Sequence, residues 1–181
     1  MSIDEYYLAF ESILYGLIIS RILVKWAEMF KEGQRDSFDW VYILITINVF
    51  FLIIYLYWIN RQPSHYANVA GPFMFFVNVV LPPAIFTFMT YQVFPGDFSQ
   101  VKQENYLIKH RKLIFIPWAI YLIYNVAVLS DKLIHPTTIS TFITLVIIGF
   151  IIKSTKVVWI KVFAIVHTLL MIYGYSRFYM N

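Results

Sequence analysis

From Trp40 to Asn60 the chain runs without one charged side chain, and from Pro72 to Phe94 it does so again. An α-helix rises about 1.5 Å per residue, so about 20 apolar residues match the ~30 Å hydrocarbon core of a bilayer. Such runs leave few folds open. A soluble core needs a polar shell, and here charged residues are only 13% of the 181, against 60% hydrophobic; soluble domains carry about a quarter charged. Mean hydropathy is +0.69. The sequence therefore predicts an all-α integral membrane protein.

Six spans are expected: Tyr7 to Ala27, with the helix running on toward Phe30, then Trp40 to Asn60, Pro72 to Phe94, Leu113 to Ser130, Thr137 to Lys153 and Val157 to Phe178. Leu, Ile, Val and Phe surround each segment, as on helices that meet lipid or other helices on every side. The expected architecture is a six-transmembrane helix bundle with short loops, forming a single transmembrane domain over 1–181. Lys and Arg then orient it. Lys25, Lys31, Arg35, Lys102, Lys109, Arg111, Lys112, Lys153, Lys156 and Lys161 fall on one side, against Arg61, Lys132 and Arg177 on the other. Basic loops stay in the cytoplasm, so both termini are expected in the periplasm of a bacterial inner membrane. The same basic residues touch anionic headgroups or present a cytoplasmic face, with Lys102, Lys109, Arg111 and Lys112 at its centre, to an anionic ligand or protein partner.

The acidic start, "MSIDEYY", lacks the basic region of a signal peptide, so the first span is expected to be retained. Neither end carries a lipidation motif. Trp26, Trp40, Tyr57, Trp58, Tyr91 and Tyr175 form an expected interfacial aromatic belt. In the long third loop, "FPGDFSQ" ends one helix at Pro95 and Gly96. Asp97 and Gln100 then suit the start of a short interfacial helix with Phe98, Val101 and Ile108 on one face.

Polar residues inside the spans are the informative ones, because each is costly in lipid. Ala9, Ser12, Gly16 and Ser20 share one face of span one, which suits close packing either within the chain or against another subunit. Glu11 lies beside them; it is protonated, paired or open to a wet cavity, or it snorkels to the outer interface. Arg21, another intramembrane charge, is expected to snorkel with Lys25 to the cytoplasmic interface. Asn48 and Asn125 sit near the middle of spans two and four, as interhelical glue or as pore lining. In span three Pro82 and Pro83 withhold two N–H groups from the carbonyls of Asn78 and Val79. That predicts a broken helix, with Asn78 beside the break; such breaks either improve packing or coordinate ions and substrates. His167 is central in span six, either hydrogen-bonded across helices or sensitive to protons. Thr137, Thr141 and Thr144 line a stripe of span five with Ser140 beside it, as backbone-bonded hydroxyls or an outer vestibule.

Several chemistries find no support. The absence of cysteine removes disulfides, zinc–thiolate sites, iron–sulfur clusters and thiol catalysis. His65, His110, His135 and His167 are scattered, so no metal site is expected and bis-histidine haem lacks a second ligand. No lysine sits deep in the last span for retinal. There is no phosphate loop, no GxSxG, no clear nucleic-acid motif and no fixed-period repeat. The expectation is a non-enzymatic protein without cofactors.

The phrases "YGLIISRILVKW", "FPGDF" and "ENYLIKHRKLIFIPWAIYLI" resemble a widespread group of small bacterial polytopic membrane proteins. That resemblance implies a six-span fold and no activity. The residues themselves suggest an oligomeric pore or channel-like protein in the bilayer, built on Asn48, Asn78, Asn125 and His167. It is expected to be a homo-oligomer and to be gated by a signal or partner, as an effector in bacterial defence would be. A small secondary transporter or a non-conducting scaffold are the alternatives.

Overall fold

The structure, a computed structural model, describes residues 3–31, 40–60, 71–94, 96, 106–129 and 136–180. Lys102 and the expected helix start around Asp97 lie outside the described residues. The described residues are almost entirely helical and include no strand. Their helices are α1 (Ile3–Lys31), α2 (Trp40–Asn60), α3 (Gly71–Val93), α4 (Tyr106–Lys109), α5 (Arg111–Leu129), α6 (Pro136–Lys153) and α7 (Val157–Met180). Three of them, α1, α2 and α3, are long and apolar enough to cross a membrane.

The long helices close into a ring. α1 packs against α2 and α3, α2 against α7, α7 against α6, α6 against α5, and α5 against α3. One face of α1 shows why the ring closes where it does. Glu11, Tyr15, Ile18, Ile22 and Met29 recur at helical spacing and are all buried. The ring has no bore. Trp118 of α5 reaches past α6 to Phe163 of α7, with centroids 4.8 Å apart at 82°, and Phe115 joins them at 5.0 Å. The outer surface is the reverse of a soluble protein's: Ile13, Leu17, Phe73, Val146 and Leu169 are each more than half exposed. An apolar surface of this extent needs an apolar surround.

The third helix departs from expectation. It is not broken at Pro82 and Pro83 but continues through a π-helical turn, Phe76–Val80, in which the Leu81 N–H bonds to the Phe76 carbonyl. An extra residue widens the turn and relieves the clash between a proline ring and the carbonyl four residues back. Val80 and Leu81 keep right-handed helical torsions, so the helix passes the prolines without a break. Gly71, at φ +82°, leads into α3 in a conformation that costs other residues a Cβ clash.

The far end of α3 is held by tyrosines. Phe94 turns extended and its N–H bonds to the Thr90 carbonyl, which leaves the last carbonyls of the helix to find other donors. The Tyr106 hydroxyl donates to Gln92 O at 2.8 Å and the Tyr42 hydroxyl to Val93 O at 3.1 Å. Burial pushes the Tyr106 hydroxyl above its ordinary pKa, so it stays a donor at neutral pH. α4 and α5 are separated only by His110, whose N–H bonds to Tyr106 O while Ile114 N–H bonds to His110 O. α6 and α7 form a tight hairpin. Ser154 Oγ accepts the Lys156 N–H, and Phe150 stacks on Trp159 at 4.4 Å and 11°.

Replacing Tyr42 or Tyr106 by Phe removes one of these helix-end donors and leaves a buried carbonyl. Each substitution is expected to lower unfolding stability in detergent by about 1–3 kcal/mol. An unchanged denaturation midpoint in both would mean that the hydroxyls do not cap α3.

Candidate functional site

Among the buried polar residues, Glu11 and Asn78 lie in the half nearer the start of α1, while Thr46 and Thr90 lie toward its other end. α1 contributes Glu11, 1% exposed, on the same face as its core residues. The carboxyl group therefore points inward and does not snorkel outward. On α5 the Tyr124 hydroxyl donates to Asn78 Oδ1 at 3.0 Å. The π turn places Asn78 there, buried, with Val79 beside it. Ser12 Oγ donates to Leu8 O at 2.7 Å and lies 3.2 Å from the Tyr57 hydroxyl of α2.

One turn from Tyr124, Tyr121 is fully enclosed against Phe86, with centroids 4.7 Å apart. Asn125, half-buried, lies near the Tyr121 hydroxyl without completing a hydrogen bond of good geometry. Trp118 follows on the same stripe, and its ring meets that of His167 edge-on at 4.9 Å. His167 also stacks on Phe163 at 5.2 Å. Among the described residues, Trp118 Nε1, the Tyr121 hydroxyl and His167 Nδ1 are buried without a hydrogen-bond partner.

Asn48 is placed differently. Its Nδ2 donates to the Thr168 hydroxyl at 3.0 Å and lies 3.3 Å from Ala164 O, while Thr168 Oγ1 sits 2.6 Å from Ala164 O and 3.1 Å from Asn48 Oδ1. This is a clamp between α2 and α7. The structure thus joins Asn78 to Tyr124 of α5, sets His167 against Trp118 of the same helix, and ties Asn48 to the neighbouring turn of α7.

The remaining expected positions lie elsewhere. Ala9, Gly16 and Ser20 face outward, and space is open beside Gly16. Ser12, on the same face, is half-buried and meets Tyr57. Pro82 and Pro83 are buried just after the π turn. Arg21 stacks on Tyr91, its Cζ 3.4 Å from the ring centroid, with Nε buried and unpartnered. On the basic face Lys109 and Lys112 are exposed, whereas Arg111 Nη1 donates to Ile108 O at 2.8 Å. Thr144 bonds back to Ser140 O at 2.8 Å.

Sequence reasoning missed Trp118, Tyr121 and Tyr124. The signal was present: Trp118, Tyr121 and Asn125 recur at helical spacing, which gives α5 one polar-tipped stripe. Tyr57 and Trp26, read as belt residues, each bond inside the chain, Tyr57 to Ser12 and Trp26 Nε1 to Thr46 Oγ1 at 3.3 Å.

Toward the lysine-rich end Phe115 and Trp118 pack edge-on against Phe163, and Ile45, Ile114, Ile148, Ile151 and Ile160 are buried together with Tyr42, Thr46 and Thr90. A carboxylate, phenols, amides and an imidazole in one enclosed stripe can hold or relay a proton or a small cation. No family model, curated protein or solved structure matches this chain.

The Asn48–Thr168 clamp is tested by a double-mutant cycle with Asn48→Ala and Thr168→Val. A coupling of about 0.5–2 kcal/mol is expected, in the range of interhelical hydrogen bonds in membranes. Additive losses would show that the two side chains do not act on each other.

Proposed function

We propose that the chain is a six-span, non-enzymatic protein of the bacterial inner membrane, a channel-like path for protons or small cations held closed by its aromatic layer. The observation that carries this reading is Glu11, a carboxylate 1% exposed inside the ring of helices. Ionisable groups in a membrane interior are costly, and ion and proton paths are built from them. The Tyr124–Asn78 bond and the Trp118–His167 contact extend the polar stripe from it. The layer of Phe115, Trp118 and Phe163 is suited to gate by excluding water.

The ring supports the six-span reading. α5, α6 and α7 have 19, 18 and 24 residues, or about 27–36 Å of helix, comparable to the ~30 Å hydrocarbon core. In a ring they have the same surroundings as α1–α3. The basic residues assign both termini to the periplasm. Homo-oligomers form through the outward face of Ala9, Gly16 and Ser20, and the basic face around the exposed Lys109 receives the anionic ligand or protein partner that opens the layer. A second reading, a non-conducting scaffold, is favoured by the Asn48–Thr168 clamp, in which a mid-bundle amide is already satisfied within the chain. Membership of the small polytopic bacterial group fits either.

Proton and potassium flux in proteoliposomes separates the two. Wild type is expected to leak slowly. Trp118→Leu, which keeps an apolar side chain but removes the indole, should raise flux at least about tenfold, the effect of lowering a barrier by about 1.4 kcal/mol. Adding Glu11→Gln, or Asn78→Leu with His167→Leu, should abolish the gain. Tight vesicles for Trp118→Leu at equal incorporation would leave the scaffold.

Topology is directly testable because the chain lacks cysteine. Ser154→Cys in the α6–α7 turn is expected to resist a membrane-impermeant maleimide in spheroplasts, and Ser2→Cys to react. The reverse pattern would invert the orientation.

A further inference from the structure

The outward face of α3 carries two apolar grooves on either side of one ridge. The groove between α3 and α5 is lined by Ala84, Phe88, Ile116 and Pro117, with Lys112 at one end. The groove between α1 and α3 is lined by Phe10, Leu14, Pro83 and Tyr91, and shares Ala84 and Phe88 with the first. Two sequence features hollow this face. Ala84 is the smallest side chain in a run of large ones, and Pro117 sits inside α5.

The polar ends of both grooves lie at the same end of the bundle. α3 and α5 join through α4, so the close of α3, with Tyr91, is near the start of α5, with Lys112. Arg21 covers the Tyr91 ring of one groove, its Cζ 3.4 Å from the ring centroid. Lys112 lines the other groove and is exposed. The acid near Arg21 on α1, Glu28, is engaged by Lys25 at 2.6 Å. Two cations thus flank two apolar grooves that meet at Phe88, and neither is paired with an acid among the described residues.

We propose that this face binds one anionic phospholipid, its phosphate between Arg21 and Lys112 and its two acyl chains in the grooves on either side of Phe88. The charge favours an anionic over a zwitterionic headgroup, since each basic side chain near a lipid surface strengthens attraction about fivefold. The paired grooves fit two chains of one molecule. The site rests on the membrane reading above but is independent of conduction.

The test is native mass spectrometry of the detergent-purified full chain, titrated with phosphatidylglycerol and with phosphatidylcholine. Phosphatidylglycerol is expected to bind at least about tenfold more tightly. Arg21→Gln and Lys112→Gln should each cut that preference about fivefold. Ala84→Trp should fill both grooves and abolish binding of either lipid at this site, while Val146→Trp on the exposed face of α6 should change nothing. Equal affinity for the two lipids, or equal losses from Ala84→Trp and Val146→Trp, would overturn the site. So would a dimer that Ala84→Trp dissociates without regard to lipid, because a second copy would then occupy the grooves. Extraction of the chain from membranes by alkaline carbonate would overturn the membrane reading and the site with it. Retention in the membrane with indifferent lipid binding would remove the site alone.

Discussion

A polar group inside this bundle has no water to fall back on, and most of the fold's specific contacts answer that constraint. Apolar helices pack against one another in many registers at similar energy, because one leucine-rich face is much like another. A buried hydroxyl or amide restricts the choice, since it costs free energy until a partner is in place. Tyr42 and Tyr106 tie α2 and α4 to the last carbonyls of α3. Tyr124 ties α5 to the π turn. Asn48 and Thr168 tie α2 to α7. These contacts set the relative heights of the helices around the ring, and the apolar residues fill the space between them.

The π turn of α3 connects both sides of the molecule. Its wider backbone lets two adjacent prolines sit inside a helix, where an α-helical backbone would meet their rings with its own carbonyls. The same turn carries Asn78 inward to Tyr124. Immediately after it, Ala84 and Phe88 shape the outward grooves. A movement of α3 about this turn would therefore alter the interior stripe and the lipid-facing surface together. π turns recur at functional positions for this kind of reason, because the local geometry is less regular and its hydrogen bonding easier to rearrange.

Polar groups are buried at both ends of the interior: Glu11 and Asn78 toward the start of α1, Tyr42, Thr46, Thr90 and Tyr106 toward the lysine-rich end. Trp118 touches both His167 and Phe163 of α7. On the small-residue face of α1, Ala9, Gly16 and Ser20 are exposed and Ser12 meets Tyr57.

The sequence by itself determined the helices. The uncharged runs, the proline and glycine signals and the clusters of Lys and Arg mark the six long elements to within a few residues, because helix formation in apolar segments is a local matter of backbone hydrogen bonding and length. It also identified Glu11, Asn48, Asn78 and His167 as residues whose burial would need explaining. Only the tertiary structure decided which partners they have. Glu11 and Ser12 are adjacent in sequence, yet one is enclosed and the other meets Tyr57, and that depends on where α2 and α5 stand. The prolines read as a break because a proline ring clashes with a regular helix; the π turn that absorbs them depends on the neighbours that bury Asn78 and Val79. The stripe of Trp118, Tyr121 and Asn125 was visible as spacing. Its direction was not, because a helix that is apolar all round carries no periodic signal of which face turns inward.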